Sequence, residues 1–473
     1  MIFHSLDYAV FFLVVFAAYW LLPHKGQNVF LLLANYVFYG WVHPWYVVLL
    51  AFTCIVDYTA ARGIEDQPAH RRKWLSVSLT ANFSVLVFCK YLDFFSGGHA
   101  LEVLHAIGFT WLDQQDAAML LPVGLSFYTF QNAAYMVDVY RGRIAARRSF
   151  LDYLVFGSFF PQLVAGPIER AGHLVSQVEH PRTFNFEKAR VAVLMILWGL
   201  VKKLVVADNA ALVANKVFSL SAPPWPVLWA GVLAFAVQIY ADFSAYSDIA
   251  RGSARLLGFD LMRNFRHPYN ADSPADFWRR WHISLSTWFR DYVYIPLGGS
   301  HGSTARTCFN VMATFLLSGL WHGASWNYVL WGAWHGMLLI AWRAWEAGPA
   351  ALRPDRLPRF VRVVLVFSLV MVGWLLFRET HADTLARYLT LNPFAATDMD
   401  WRVALYLVST IALYSLPLMI VGSMEARLIN DGAVTRIWSR HSPLLQTALA
   451  TVMMLLIVLL RSPQSSDFIY FQF

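Results

Sequence analysis

Charged side chains are scarce in this chain: Asp, Glu, Lys and Arg make up 14% of its 473 residues, well below the share in an ordinary soluble domain. With 58% hydrophobic and 16% aromatic residues, the composition excludes a conventional soluble surface and points to a polytopic membrane protein. Cysteine is rarer still. Cys54, Cys89 and Cys308 lie in apolar runs, without the spacing of a metal site or a redox pair, and read as packing residues. No His/Cys/Asp/Glu cluster shows metal-ligand spacing, so no metal is expected. No polar or low-complexity linker divides residues 1–473, which implies one membrane-embedded domain, and no internal repeat is evident. The run Tyr8 to Leu22 lacks a basic leader and a small-residue cleavage site, so it reads as a retained membrane segment. Gly124-Leu125-Ser126-Phe127 lacks the final glycine of a nucleophile elbow and is set aside.

What the chain does have is apolar runs, at 7–22, 28–41, 45–60, 75–95, 119–137, 150–166, 191–207, 227–243, 308–321, 326–342, 361–377, 402–421 and 444–460. Each is long enough to cross or enter a bilayer, but 28–41 and the pair at 308–321 and 326–342 fall short of the roughly 20 residues of a straight span. These short runs imply tilted, re-entrant or protein-buried helices. The net charge of +8 comes without a nucleic-acid signature. Basic residues instead cluster in alternate loops: Arg62 with Arg71-Arg72-Lys73; Arg141 to Arg148; Arg353 to Arg362; and Arg427 to Arg440. The positive-inside rule makes these loops cytoplasmic and sends both termini to the opposite side.

Three polar stretches interrupt membrane-like sequence: Phe160 to Arg170; Gln238 to Arg251, with Asp242, Ser244 and Asp248; and Asp276 to Trp288. They imply either a water-accessible cavity or a packed core with satisfied hydrogen bonds. In the third stretch Trp278, Trp281, Leu285, Trp288 and Tyr292 recur at helical spacing, as in a helix lying at an interface or lining a cavity, ended by Pro296 and Gly298-Gly299.

His322, in Trp321-His322-Gly323-Ala324-Ser325-Trp326, places a titratable imidazole at membrane depth, where a functional reading is the default. His282 lies one helical turn from Trp278; alone it reads as structural, and beside His322 as a second catalytic imidazole. His335 stands 13 residues after His322 and on a continuous helix would face more than halfway round, so it reads as structural.

The run Asp276-Phe277-Trp278-Arg279-Arg280-Trp281-His282-Ile283-Ser284-Leu285-Ser286-Thr287-Trp288, the following Tyr294-Ile295-Pro296-Leu297-Gly298-Gly299, and Gly319-Leu320-Trp321-His322-Gly323-Ala324 resemble the signature of the membrane-bound O-acyltransferase family. Phe3-His4-Ser5-Leu6-Asp7, Pro167-Ile168-Glu169-Arg170, Tyr240 to Asp248 and the tail motif 468–473, Phe-Ile-Tyr-Phe-Gln-Phe, narrow the likeness to its bacterial polysaccharide-modifying branch.

The resemblance implies an all-α polytopic inner-membrane protein, with about eleven transmembrane helices plus re-entrant or interfacial ones around a central tunnel or funnel. It implies an O-acetyltransferase with His322 and His282 as catalytic residues. The expected donor is cytoplasmic acetyl-CoA, with no bound cofactor, and the expected acceptor an exported polysaccharide, most of all alginate. Expected partners are a periplasmic SGNH-type acetyltransferase and the polysaccharide synthesis and export machinery. Trp278, Trp281, Trp321, Arg279 and Arg280 are candidate donor-binding residues, the arginines equally suited to lipid headgroups. Tyr470 is a candidate acyl relay or an aromatic interfacial anchor. Two alternatives stand beside this reading: a transporter with a proton relay through His322, Asp242 and Asp248, and acetylation of peptidoglycan, cellulose or another exopolysaccharide.

Overall fold

The computed structural model describes residues 1–96, 99–106, 122–164, 166–427, 443–464, 466 and 468–469, and among these the regular structure is entirely helical. Among the described residues, six helices are long and apolar enough to cross a membrane: Trp45–Asp66, Pro68–Leu92, Trp225–Leu256, Arg359–Arg378, Asp398–Gly422 and Pro443–Leu460, with Leu6–Trp20 a shorter apolar helix. A chain of this kind must satisfy its backbone internally, and helices do so within one segment. Serines cap several of their starts, with Ser5, Ser149, Ser273 and Ser303 each accepting a backbone N–H from the first turn.

The packing divides the chain into two units, Met1–Ala192 with Ala250–Met262, and Val193–Ile249 with Arg263–Phe473. The first is held by buried polar contacts between helices. Asp57, fully buried, accepts from Ser78 and from Asn82 Nδ2 at 2.8 Å, and Tyr8 donates to Ser253 at 2.7 Å. The run 150–166 does not make one helix. Phe150–Ser158 ends at Phe159, and Phe160–Leu163 restarts with its first N–H donated to Asn35 Oδ1 at 3.0 Å. Nine residues rise only about 14 Å, so this segment enters a bilayer without crossing it as a helix. Of the three polar stretches, this one is a packed core: Glu169, fully buried, accepts the Met262 N–H and bonds His173 at 2.7 Å.

In the second unit, the Trp225–Leu256 helix, of which residues 225–249 belong here, is the central element. Within its most apolar stretch 78% is buried, against 11% for Pro443–Leu460, which therefore lies at the rim. The helices Thr304–His322 and Trp326–Glu346 form a tight hairpin because two glycines face each other's backbone. A Cβ on Gly319 would stand 2.2 Å from the Tyr328 carbonyl oxygen, and one on Gly332 would stand 2.3 Å from that of Phe315. Both helices outrun their apolar cores, at 19 and 21 residues, because the Ser303 cap and a polar first turn extend the first and the Arg343–Glu346 turn extends the second. Arg359–Arg378 closes against this hairpin, with Asn327 Nδ2 donating to the Leu376 and Phe377 carbonyls and Trp334 Nε1 to that of Leu369.

The stretch 276–292 departs from the single helix its aromatic spacing suggested. Pro274–Arg280 and Ile283–Phe289 are separate short helices, and a π-helical turn, Arg290–Tyr294, follows. The apolar side chains of Trp281, Leu285 and Trp288 are buried rather than interfacial. The turn after Pro296 is as expected, with Gly298 and Gly299 at φ 115° and 57°.

Candidate active site

All the described candidate residues fall in the second unit. His282 occupies the break between the two short helices at φ 42°, ψ 55°, a left-handed conformation that costs a residue other than glycine about 1–3 kcal/mol. Asn264 holds the break in place. Its carbonyl accepts the Ile283 N–H at 2.8 Å, its Oδ1 accepts the Ser284 hydroxyl at 2.7 Å, and its Nδ2 donates to Ser247 Oγ at 2.9 Å. Upstream, the Arg266 N–H bonds the Arg280 carbonyl at 2.9 Å. The imidazole thus turned inward is 1% exposed and stands edge-on to Phe243, centroids 4.6 Å apart. His282 lies in a connection rather than a spanning helix, and burial pushes its imidazole down to about 3, which keeps it neutral throughout the physiological range.

His322 ends the first helix of the glycine hairpin and is also buried. Trp321 links the two imidazoles, its ring 6.0 Å from His282 and 4.9 Å from His322. On its other sides His322 meets Trp331 at 4.8 Å and Phe377 at 5.2 Å. Gly323 leaves room for this corner, since a Cβ there would stand 2.2 Å from the Tyr328 ring. The indole Nε1 of Trp331 is buried and has no hydrogen-bond partner among the described residues. A buried donor without an acceptor is costly, and here its ring packs against an imidazole.

The hairpin also changes the place of His335. The chain breaks at 323–325, so rotation along one continuous helix does not apply. Trp331 lies 5.0 Å from His335 as well as 4.8 Å from His322. His335 stacks on Phe277 at 6.1 Å, and Gly373 admits it, since a Cβ there would stand 2.6 Å from its Nε2.

The other candidates separate by surroundings. Trp281 is enclosed by Phe265, Phe277 and Trp374, and Trp278 by Phe315, Trp331 and His335, which makes both parts of the site's packed wall. Arg280 Nε pairs with Asp276 at 2.7 Å, while Arg279 is 69% exposed and 3.5 Å from the same carboxylate. Tyr470 lies outside the described residues.

The polar face of the central helix is occupied by lysines that the sequence reading overlooked. Lys203 bridges Asp242 and Asp208, 2.9 Å to each, all three almost wholly buried. Lys202 pairs with Asp248 at 2.7 Å and donates to Ser244 at 3.0 Å. Both lysines sit in a π-helical turn, Lys202–Ala207, and the signal for them was plain: two adjacent lysines inside the apolar run 191–207.

A family model described as MBOAT, the membrane-bound O-acyltransferase family, matches residues 143–378, a range that contains both imidazoles and both lysines. A "Probable alginate O-acetylase AlgI" of Azotobacter vinelandii is 40% identical over 85% of this chain and 80% of its own length. The chain belongs to the membrane-bound O-acyltransferase family. It is therefore a multi-pass membrane O-acyltransferase. A second protein named "Probable alginate O-acetylase AlgI", from Pseudomonas putida, is 35% identical over the full length of both chains. A "Peptidoglycan O-acetyltransferase" of Helicobacter pylori is 32% identical over 80% of this chain and 76% of its own. Family membership also orders the two chemical readings of the site. An acyltransferase needs a base and donors for an oxyanion, and imidazole and indole groups are chemically capable of these roles. A proton relay through Asp242 would instead require a carboxylate not already held by Lys203.

Proposed function

We propose that this membrane-bound O-acyltransferase transfers acetyl groups from cytoplasmic acetyl-CoA across the inner membrane for O-acetylation of an exported polysaccharide, alginate before others. The observation that carries this reading is the buried pair of imidazoles, His282 and His322, joined by the Trp321 ring. The likeness to proteins named as probable alginate O-acetylases supports the choice of acetyl group and polymer.

His322 is the general base. It takes the proton from the acceptor hydroxyl as the oxygen forms its bond to the thioester carbonyl carbon. The resulting oxyanion collapses, the carbon–sulfur bond breaks, and the thiolate leaves with the proton that His322 returns. Trp331, whose ring packs on His322 and whose Nε1 has no acceptor among the described residues, and neutral His282 are the donors to the carbonyl oxygen. Arg279, exposed beyond its Asp276 contact, is the better placed of the two arginines for a donor phosphate.

Beyond the site, the proposal has about eleven membrane crossings around a tunnel, both termini on the periplasmic side, and a periplasmic SGNH-type acetyltransferase with the polymer export machinery as partners. Tyr470 receives the acetyl group as a covalent relay. The likeness to the peptidoglycan O-acetyltransferase favours one second reading, with peptidoglycan as acceptor. The test is to delete the gene from its host and measure ester-linked acetate on exported polysaccharide and on peptidoglycan separately, with complementation by wild type and by His322→Ala. Loss from the polysaccharide, restored only by wild type, supports the proposal; loss from peptidoglycan alone selects the second reading.

A further inference from the structure

The segment after the Pro443–Leu460 helix returns into the second unit and ends in a site built from groups that no catalytic step uses. Ser462 N–H bonds the Leu204 carbonyl at 3.0 Å, and Asn209 Nδ2 bonds that of Leu460 at 3.0 Å. Lys203 Nζ donates to the Ser466 carbonyl at 2.7 Å, and the Ser466 hydroxyl donates to Asp208 at 2.6 Å. Ile469 N–H donates to Asp242 Oδ2 at 2.7 Å. Phe468 and Ile469 are wholly buried, and the Phe468 ring stacks on Tyr246 at 3.9 Å. Lys203 could have bridged Asp208 and Asp242 without any of these contacts. Instead the lysine and both carboxylates each turn a hydrogen bond toward the same short segment.

The contact does not stop at the clasp. Phe468 lies edge-on to Phe243 at 5.9 Å, and Phe243 stands edge-on to His282 at 4.6 Å. His282 is in a strained backbone conformation, which persists only while its surroundings over-determine it. Asn264 fixes the backbone on one side, and the Phe243 ring, backed by Phe468, bounds the imidazole on the other.

We propose that Ser466, Phe468 and Ile469, held by Lys203, Asp208 and Asp242, are a positioning element for His282, acting through Phe243. The seat sets where the imidazole lies, and vacating it lets the strained turn relax. This rests on His282 belonging to the acyl-transfer site, and it is independent of any relay through Tyr470.

The test uses the full chain in detergent, with acetyl-CoA as donor, and reads turnover together with modification of His282 by diethylpyrocarbonate, mapped by mass spectrometry. Ile469→Pro removes the N–H that Asp242 accepts, and Phe468→Leu removes the ring behind Phe243. Both are expected to lower kcat at least 10-fold, with KM for acetyl-CoA within twofold, and to expose His282 to the reagent. Ser466→Ala, the mildest change, gives the same pattern to a smaller degree and stands in if either of the others fails to insert. Unchanged kcat with His282 still protected in these variants overturns the proposal, as does a rise in KM without a fall in kcat. If the variants expose His282 but turnover proves insensitive to His282 itself, the seat stands and the assignment of His282 to catalysis falls. A Tyr470→Phe chain that remains active beside an impaired Phe468→Leu chain removes the relay and leaves the seat.

Discussion

Substitution of Gly319 by alanine tests how closely the hairpin carrying His322 is packed. The new methyl carbon would lie 2.2 Å from the Tyr328 carbonyl oxygen, and 3.0 Å from its carbon. Carbon and oxygen meet at roughly 3.3 Å, so the two helices must separate by about 1 Å at this point. The obstruction is backbone, with no rotamer to absorb it, and overpacking of this kind costs about 1–3 kcal/mol. Gly319 lies one turn before His322, so the displacement is passed to the imidazole with little attenuation. A misplacement of about 1 Å at a reacting group can cost about 100-fold in rate. Gly319→Ala is therefore expected to insert, to lose a few degrees of thermal stability in detergent, and to lose about two orders of magnitude in acetyl transfer. Gly172, which has only the Ile144 methyl at 3.7 Å, is the control, and its alanine variant should be close to wild type in both assays. A Gly319→Ala protein with wild-type stability and turnover would refute the close backbone approach and the placement of His322 derived from it.

Three further outcomes follow from the contacts around the site. Trp331→Phe keeps an aromatic ring between His322 and His335 but removes the indole N–H, and should lower kcat about 100-fold with KM for the donor unchanged. Equal loss of kcat and binding of the donor would count against an oxyanion role. Asn264→Ala removes the side-chain bonds to Ser247 and Ser284, worth about 1 kcal/mol each, and should raise proteolytic cleavage between Arg280 and Ile283 while the protein still inserts; an uncleaved, fully active variant contradicts the bracing of His282. His173 is raised above its ordinary value first by its hydrogen bond to the Glu169 carboxylate, against partial burial. A raised folded value means that stability from this pair is complete below about pH 6.5 and declines as pH rises through and beyond it. The thermal midpoint of wild type should fall more between pH 6 and pH 8.5 than that of His173→Gln, and parallel curves would remove the pair from the account.

The helical, membrane-embedded class was legible because composition and run length are set by the bilayer, a strong and uniform constraint. The burial of His322 was legible for the same reason, since the runs on either side of it are apolar. The turn at His282 was not. Apolar spacing at 278, 281, 285, 288 and 292 fits a helix, and only tertiary bonds from Asn264, far back in the chain, override it with a left-handed residue. Lengths were misread where polar first turns extended a helix, as Ser303 does for Thr304–His322. His335 was displaced by an assumption of continuity that Gly323 breaks. Lys202 and Lys203 were visible as a pair, but their partners Asp208, Asp242, Asp248 and Ser466 are brought to them by packing that no local pattern encodes.

The central claim is that His322 is the base of an acyl transfer, and the most direct measurement is thiol release from acetyl-CoA by the purified, membrane-reconstituted protein in the presence of acceptor polysaccharide and its periplasmic partner. With wild type, free thiol should appear in step with ester-linked acetate. His322→Ala, inserted to the same level and with the same thermal midpoint, should release thiol at least 1000-fold more slowly. Thiol release by His322→Ala at the wild-type rate would contradict the claim outright.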